Sequence, residues 1–162
     1  MSFDINNFSG YVLAGGRSSR MGRDKAFLEI NGKTFLQNAI EILSPVFASR
    51  VKVVLNRQQT HFIEKLPAGI AHIFDIYENR GPLGGIHASF MDCKTKFAVI
   101  LAVDLPLVKP GLIEALSTRA VGNRADAVVP IQSETGLKQP LCGVYRVASC
   151  VTPLEVILKS NL

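Results

Sequence analysis

The run Phe97-Ala98-Val99-Ile100-Leu101-Ala102-Val103 is the most apolar stretch of the sequence and the feature that most narrows its fold. A continuous apolar run without polar alternation is typical of a parallel strand that is buried on both faces. Such a strand needs a covering layer on each side. Because further strand patterns alternate with helical patterns along the chain, the sequence predicts an α/β protein of three layers, α/β/α, with a mostly parallel central sheet.

Local patterns predict the other elements. Strands are expected over residues 8–14, 51–55, 70–74, 126–130 and 139–147, in addition to 97–103. Asn31-Gly32 predicts a tight turn, and Thr34 is placed to cap a helix that ends or kinks near Pro45. Further helices are expected over residues 59–66, through residues 87–91, from Pro110 and from Thr152.

The composition is that of one globular domain covering residues 1–162. Apolar residues make up 48% and charged residues 19% of the chain. The apolar runs are too short to cross a membrane, and the first residues do not resemble a secretory signal, so a cytoplasmic location is expected. The three cysteines follow no metal-binding or disulfide spacing, and they are expected to be free, buried thiols.

The formal net charge of +5 admits two classes of partner. Nucleic acid is one and a small anionic substrate is the other. The basic residues cluster at positions 17–25 and are not interleaved with base-stacking aromatic residues, which favours the small anion. We therefore expect neither a nucleic-acid partner nor a membrane partner.

A glycine-rich, basic segment follows the first predicted strand. From Leu13 to Lys25 it is Leu-Ala-Gly-Gly-Arg-Ser-Ser-Arg-Met-Gly-Arg-Asp-Lys. Glycines let backbone N–H groups approach a ligand, and successive N–H groups form an anion-binding concavity. A P-loop would need Ser or Thr where Ala26 stands, and the G-x-G-x-x-G spacing is not met. The segment is interpreted either as a phosphate-binding turn of another kind or as a flexible surface loop with solvated arginines.

Several small or polar residues stand at or just past predicted strand ends. They are Gly15, Asn56, Asp75, Gly81 and Asp104. Right-handed crossovers bring the carboxyl ends of parallel strands to one edge of the sheet, where ligands bind in such folds. We therefore expect these residues to converge on one site.

Three of the charged candidates have ordinary structural explanations as well. Asp104 follows seven apolar residues and could hold Mg²⁺, or it could cap the next helix. Lys25 could neutralise phosphate charge or be a solvated surface lysine. Asp75 could accept hydrogen bonds from a ligand or stabilise a turn.

The segment from Leu13 to Lys25 resembles the L-A-G-G-x-S-x-R-M-G-x-D-K motif of the molybdenum cofactor guanylyltransferases, the MobA-type nucleotidyltransferases. The resemblance implies a Rossmann-like nucleotidyltransferase fold. Related cytidylyltransferases tend to carry Ala-Ala-Gly where this chain has Ala14-Gly15-Gly16, so the motif favours GTP over CTP as the donor. Asp104-Leu105-Pro106 matches the family's Asp-x-Pro pattern, whose aspartate coordinates magnesium.

The resemblance implies a reaction and a set of site residues. GMP would pass from GTP to the terminal phosphate of molybdopterin, with release of pyrophosphate and with Mg²⁺ as cofactor. Lys25, Asp104 and Arg20 are the expected catalytic residues, and Asp104 is the expected metal ligand. The expected GTP-binding residues are Leu13, Ala14, Gly15, Gly16, Lys25, Asn56, Asp75, Gly81 and Asp104. The resemblance also implies partner proteins that deliver molybdopterin or accept the product.

The sequence also departs from the family pattern. Gly84 stands where G-P-L-A-G has alanine, which is expected to loosen that loop slightly. Gln139 replaces the histidine of H-P-L-x-G-L-Y, and the domain is expected to be short at its C-terminus. Both differences are expected to weaken binding of the acceptor. The alternatives are a molybdopterin cytidylyltransferase, a sugar-phosphate nucleotidyltransferase and a non-catalytic nucleotide-binding module.

Overall fold

The computed structural model describes residues 4–15, 24–77 and 80–160. Six strands form one sheet in the order β5-β4-β1-β6-β8-β7. In chain order these strands are β1 (Phe8–Leu13), β4 (Val51–Leu55), β5 (Ala71–Phe74), β6 (Phe97–Ala102), β7 (Ala127–Val128) and β8 (Cys142–Arg146). A separate two-stranded ribbon pairs β2 (Glu29–Ile30) with β3 (Lys33–Thr34). The helices are α1 (Phe35–Phe47), α2 (Pro82–Asp92), α3 (Pro110–Gly122) and α4 (Val147–Lys159).

The sheet is mostly parallel, as the sequence predicts. Strand β1 runs parallel to β4 and β6, and β4 runs parallel to β5. Strand β8 is antiparallel to both β6 and β7. The four parallel strands therefore all end at one edge, and β8 begins at that same edge because Cys142 pairs with Leu101.

Helices cover both faces of the sheet. Helices α1 and α3 pack on one face, over side chains such as Val12 and Val99, and α2 and α4 pack on the other, over side chains such as Leu13 and Ile100. The whole of β6 is buried, which is why its sequence is apolar at every position. The three-layer prediction is confirmed.

Local signals in the first half of the chain fold as expected. Asn31 and Gly32 both adopt positive φ, and Thr34 caps α1 with Gln37 returning the hydrogen bond. Helix α1 continues two residues past Pro45, to Phe47. Residues 59–66, expected to be helical, contain a 3₁₀ helix at Thr60–Lys65.

The prediction for the last helix is wrong. Helix α4 begins at Val147, directly after β8, and Pro153 lies inside it. A proline there removes one helical N–H and crowds the preceding turn. Leu154 and Leu158 are buried in the core beneath α4, and this packing holds the helix across the proline.

The two predicted strands that flank residues 131–138 are shorter than expected. The strand expected over 126–130 is only the two residues of β7, and the one expected over 139–147 is β8. Pro140 has no N–H for a ladder, and the N–H of Cys142 bonds to the Gln139 carbonyl, so β8 starts only at Cys142. Within the described residues, no helix combines the length and the apolar character needed to cross a membrane.

Candidate functional site

The candidate site lies at the edge where the four parallel strands end. Backbone hydrogen bonds continue past the strand ends and hold the following residues in line. The N–H of Asp75 donates to the Leu55 carbonyl at 2.8 Å, and the N–H of Val103 donates to the Leu13 carbonyl at 3.2 Å. The first turns of the loops that leave the sheet are thus fixed by the sheet itself.

Lys25 and Asp104 meet at this edge, although many residues separate them in the sequence. Lys25 Nζ lies 4.0 Å from Asp104 Oδ2, and the two side chains are 50% and 47% exposed. An exposed pair of this kind contributes little to stability, about 0 to 1 kcal/mol. Because about half of each side chain is exposed, both charged groups are accessible to a ligand. Gly16 and Arg20, which were predicted to belong to the same site, lie outside the described residues.

A small aromatic cluster supports the turn that carries Lys25. Lys25 opens a 3₁₀ helix, Lys25–Phe27, and the Phe27 ring packs edge-on against Phe62 at 4.5 Å between centroids. Phe62 is fully buried and belongs to the 3₁₀ helix that follows β4. Beside it, His61 Nε2 lies 3.3 Å from Asp24 Oδ2. The end of the glycine-rich segment is therefore attached to the loop after β4.

Asp104 does not cap a helix. Helix α3 begins only at Pro110, and its N-cap residue is Lys109. The helix-cap interpretation of Asp104 is thus wrong, which leaves the exposed carboxylate in the turn after β6. That turn has a support the sequence did not reveal, because Asn38 Nδ2 of α1 donates to the Pro106 carbonyl at 2.7 Å.

Asp75 stabilises its own turn and lies against the start of α2. Its Oδ1 accepts a hydrogen bond from the Tyr77 N–H at 2.8 Å, so the turn-stabilising interpretation holds in this structure. Its carboxylate also faces Gly84, where a Cβ would lie 2.5 Å from Oδ2 and 2.6 Å from Oδ1. A carboxylate near a helix N-terminus is electrostatically favourable. The contact of Asp75 with a nucleotide stays a prediction.

Gly81 and Gly84 have different roles in the second glycine-rich stretch. Gly81 is the N-cap of α2 and has a φ of 60°, which favours glycine. Gly84 is buried within α2, so it does not loosen a loop as expected. It provides the space that the Asp75 carboxylate occupies.

Gly84→Ala is expected to destabilise the protein by about 1 kcal/mol. The new Cβ displaces a carboxylate in close contact, and overpacking of this kind costs about 1 to 3 kcal/mol. Alanine's better helix propensity offsets about 1 kcal/mol of that cost. Thermal unfolding should show a Tm lower by roughly 3 °C.

Gly111→Ala is the matched control for that change. Gly111 lies in α3, and a Cβ there would meet no atom within 4 Å. The same substitution should therefore raise stability, by about 0.5 kcal/mol. If Gly84→Ala raised the Tm as much as Gly111→Ala does, the close contact with Asp75 would not constrain the protein.

Asn56 follows β4 and is fixed by the turn it begins. Its Oδ1 accepts the N–H of Gln58 at 2.9 Å, and its carbonyl accepts the N–H of Gln59 at 3.0 Å. The side chain of Gln59 turns back toward the sheet and is buried. Sequence reasoning assigned Gln59 only to a helix start, because one partner of its side chain, the Ala14 carbonyl, is 45 residues away in the chain.

The segment from Gln139 to Tyr145 reaches the same edge of the sheet. The N–H of Ala102 donates to the Leu141 carbonyl at 2.8 Å, two residues before Asp104. The Tyr145 hydroxyl donates to the Pro140 carbonyl at 2.5 Å, which holds the bend before β8. Gln139 is therefore placed at the edge that also carries Asp104.

The cysteines have the properties of structural thiols. All three are free, with Cys93 and Cys142 buried and Cys150 half-buried. Burial raises the pKa of the Cys142 thiol to about 11, and burial also raises the pKa of Cys150. Neither is ionised near neutral pH, so neither has the thiolate that a nucleophile needs.

Comparisons with known proteins agree with this architecture. Residues 10–160 match the MobA-like NTP transferase domain. A probable molybdenum cofactor guanylyltransferase from Peptoclostridium acidaminophilum is 34% identical over 160 residues, which cover 94% of this chain and 68% of that protein. One of the same name from Chloroflexus aggregans is 37% identical, and the match covers 94% of this chain and 72% of that protein.

A solved structure shares the fold. The crystal structure of molybdopterin-guanine dinucleotide biosynthesis protein A from Archaeoglobus fulgidus superposes with a TM-score of 0.78 at 24% identity. The match covers 95% of this chain and 74% of that one. The extent of the sequence match, together with the shared fold, shows that this chain is a nucleotidyltransferase that belongs to the MobA-like NTP transferase domain family.

Proposed function

We propose that this chain transfers GMP from GTP to the terminal phosphate of molybdopterin and releases pyrophosphate. The observation that carries the proposal is the exposed pair of Lys25 and Asp104, 4.0 Å apart at the carboxyl edge of the parallel sheet. A cation for phosphates and a carboxylate for a metal ion are the two charged groups that such a transfer needs. The names of the relatives, probable molybdenum cofactor guanylyltransferases, support guanylyl as the transferred group.

The Asp104 carboxylate fits Mg²⁺. In the described part of the chain, no three His, Cys, Asp or Glu side chains form a group that could hold a metal ion by themselves. Mg²⁺ does not need such a cage, because it binds through one or two carboxylates together with water and substrate phosphates. Asp104 is exposed and does not cap a helix, so its oxygens are available for this purpose. When bound there, Mg²⁺ would neutralise charge on the phosphate oxygens.

The residues of the chain would act by positioning and by neutralising charge. The acceptor phosphate supplies its own nucleophilic oxygen, which forms a bond to the α-phosphorus of GTP as the bond to pyrophosphate breaks. Lys25 would move from Asp104 to the triphosphate. Its electrostatic attraction there would be stronger, because the phosphates carry several negative charges. Gly15, which is exposed two residues past β1, has no side chain to obstruct a triphosphate beside the sheet edge.

The remaining candidates would hold the nucleoside. Asn56 and Asp75 follow neighbouring strands, so both lie on the same side of β1. The structure already uses one oxygen of each to stabilise a turn, which fixes the side chain in one orientation. Fixed polar groups of this kind suit recognition of a base or a ribose, because little ordering is left to the binding step.

A calorimetric titration with GTP, CTP and ATP, each with Mg²⁺, tests the proposed donor. GTP is expected to bind at least about tenfold more tightly than CTP or ATP, a difference of about 1.4 kcal/mol. EDTA should weaken GTP binding, because the triphosphate then loses its link to Asp104. Equal binding of GTP and CTP would contradict guanylyl specificity. Pyrophosphate release on addition of molybdopterin tests the acceptor.

A further inference from the structure

Gln59 is a buried polar side chain at the site edge. It is 5% exposed and lies between the end of β4 and the 3₁₀ helix Thr60–Lys65. Burying a carboxamide costs free energy unless its groups are hydrogen-bonded. Gln59 Nε2 donates to the Ala14 carbonyl at 3.3 Å, and its Oε1 accepts the Asn56 N–H at 3.0 Å. Both ends of the amide are thus satisfied by backbone groups of two different loops.

These two bonds extend the pairing of β1 and β4 beyond the strand ends. The last registered pair is Leu13 with Val54, and the N–H groups of Ala14 and Gly15 both bond to the Val54 carbonyl. Beyond these bonds, the Gln59 amide connects the two loops that follow β1 and β4. The loops are close there, because a Cβ on Gly15 would lie 3.4 Å from the Asn56 nitrogen and 3.6 Å from Gln59 Oε1.

A carboxamide satisfies both partners at neutral pH, whereas glutamate and methionine, which have a similar length, do not. The Ala14 carbonyl needs a donor and the Asn56 N–H needs an acceptor, which also fixes the orientation of the amide. An ionised glutamate accepts but does not donate, and a methionine of similar length does neither. The backbone of Gln59 is itself held, since its carbonyl accepts the N–H of Phe62 at 2.9 Å. The side chain is therefore fixed at its base and at its tip.

We propose that Gln59 is a positioning residue that fixes the distance between Ala14 and Gly15, which follow β1, and Asn56, which follows β4. This inference rests on the proposed function, in which both loops contact the same GTP molecule. With the amide in place, the two loops meet the nucleotide in one preset geometry. Without it, the binding of nucleotide has to order them, and affinity falls.

Gln59→Met is the main test, with Gln58→Met as its matched control. Gln58 is the adjacent residue and is exposed, and only its backbone N–H contacts Asn56. Calorimetry with GTP and Mg²⁺ should show a Kd about tenfold higher for Gln59→Met and unchanged for Gln58→Met. Circular dichroism should show both variants folded at the temperature of the titration.

The Gln59→Glu variant shows whether a loss of GTP affinity comes from the lost hydrogen bonds or from poorer packing around residue 59. When protonated, the carboxyl group donates to the Ala14 carbonyl and accepts from Asn56, as the amide does. When ionised, it places a negative charge against that carbonyl. Burial at this site should raise the pKa of the carboxyl above its ordinary value of about 4.3, so its protonated fraction grows between pH 8 and pH 5.5. GTP affinity relative to the wild-type protein at the same pH should therefore recover over that range. The nearby pair of His61 and Asp24 is common to both proteins, so a comparison at equal pH removes its contribution.

Hydrogen exchange of the Asn56 amide reports on the contact without any ligand. The Gln59→Met variant should exchange that amide about tenfold faster, because Oε1 no longer protects it. If the wild-type protein fails to bind GTP but this acceleration is seen, the proposed function fails and the structural contact stands. If wild-type protein binds GTP and Gln59→Met binds it equally well, the positioning role is overturned. Weaker binding in both variants that tracks a lower Tm, without recovery of Gln59→Glu at pH 5.5, also overturns it.

Discussion

Asp104→Ala is expected to lower kcat for guanylyl transfer about 1000-fold, the loss seen when a group that stabilises transition-state charge is removed. The carboxylate would no longer hold Mg²⁺ against the phosphates. Stability should change by less than about 0.5 kcal/mol, because the side chain is 47% exposed and its pairing with Lys25 is weak. Pyrophosphate release under saturating GTP and Mg²⁺ measures the rate.

Asp126→Ala is the matched control for Asp104. Asp126 is an exposed aspartate at the opposite edge of the sheet, where its carbonyl bonds to the N–H of Arg146. Its removal should leave the transfer rate unchanged. A full transfer rate in Asp104→Ala would exclude Asp104 as the essential carboxylate.

Phe62→Ala is expected to lower the free energy of unfolding by about 3 to 5 kcal/mol. The Phe62 ring is fully buried, and it packs against Phe27 in the turn that begins with Lys25. Truncation leaves a cavity beneath that turn, so Tm should fall by about 10 °C. Urea denaturation monitored by circular dichroism gives the free energy. GTP should also bind more weakly to the folded variant, because the Lys25 turn loses its support.

Ile63→Ala is the comparison for Phe62. Ile63 is the next residue of the same 3₁₀ helix and is 37% exposed. Its truncation should cost less than about 1.5 kcal/mol, because part of the side chain remains in water in the folded protein. If Phe62→Ala costs no more than Ile63→Ala, the cluster does not support the Lys25 turn.

The strands of the parallel sheet could be predicted almost to the residue. The strand expected over 97–103 is β6, and the one expected over 51–55 is β4. A strand buried on both faces needs an apolar residue at nearly every position, so such a strand can be recognised in the sequence as a continuous apolar run. The turn at Asn31-Gly32 could also be predicted from the sequence, because positive φ restricts the choice of residue at that point.

The chain after β6 was harder to predict. Pro153 suggested a helix start near Thr152, but α4 begins at Val147 and its buried leucines hold it across the proline. The short β7 has too few residues to show a period. In both places tertiary packing outweighs local preference.

The sequence by itself determined the class of fold, the direction of the parallel strands and the edge where the candidate residues gather. These follow from apolar runs and from the rule that parallel strands end together, both of which are local or topological. It also singled out Lys25 and Asp104, but it could not exclude a helix cap for Asp104.

Only the tertiary structure decided how the candidate residues are held. It removed the helix-cap alternative by starting α3 at Pro110, and it paired Lys25 with Asp104. It also revealed Gln59 between two loops and the space that Gly84 leaves for Asp75. Apart from the short-range bond between Gln59 and Asn56, these contacts join different loops and elements of the fold. No local pattern encodes such contacts, because they exist only once the sheet has brought the strand ends together.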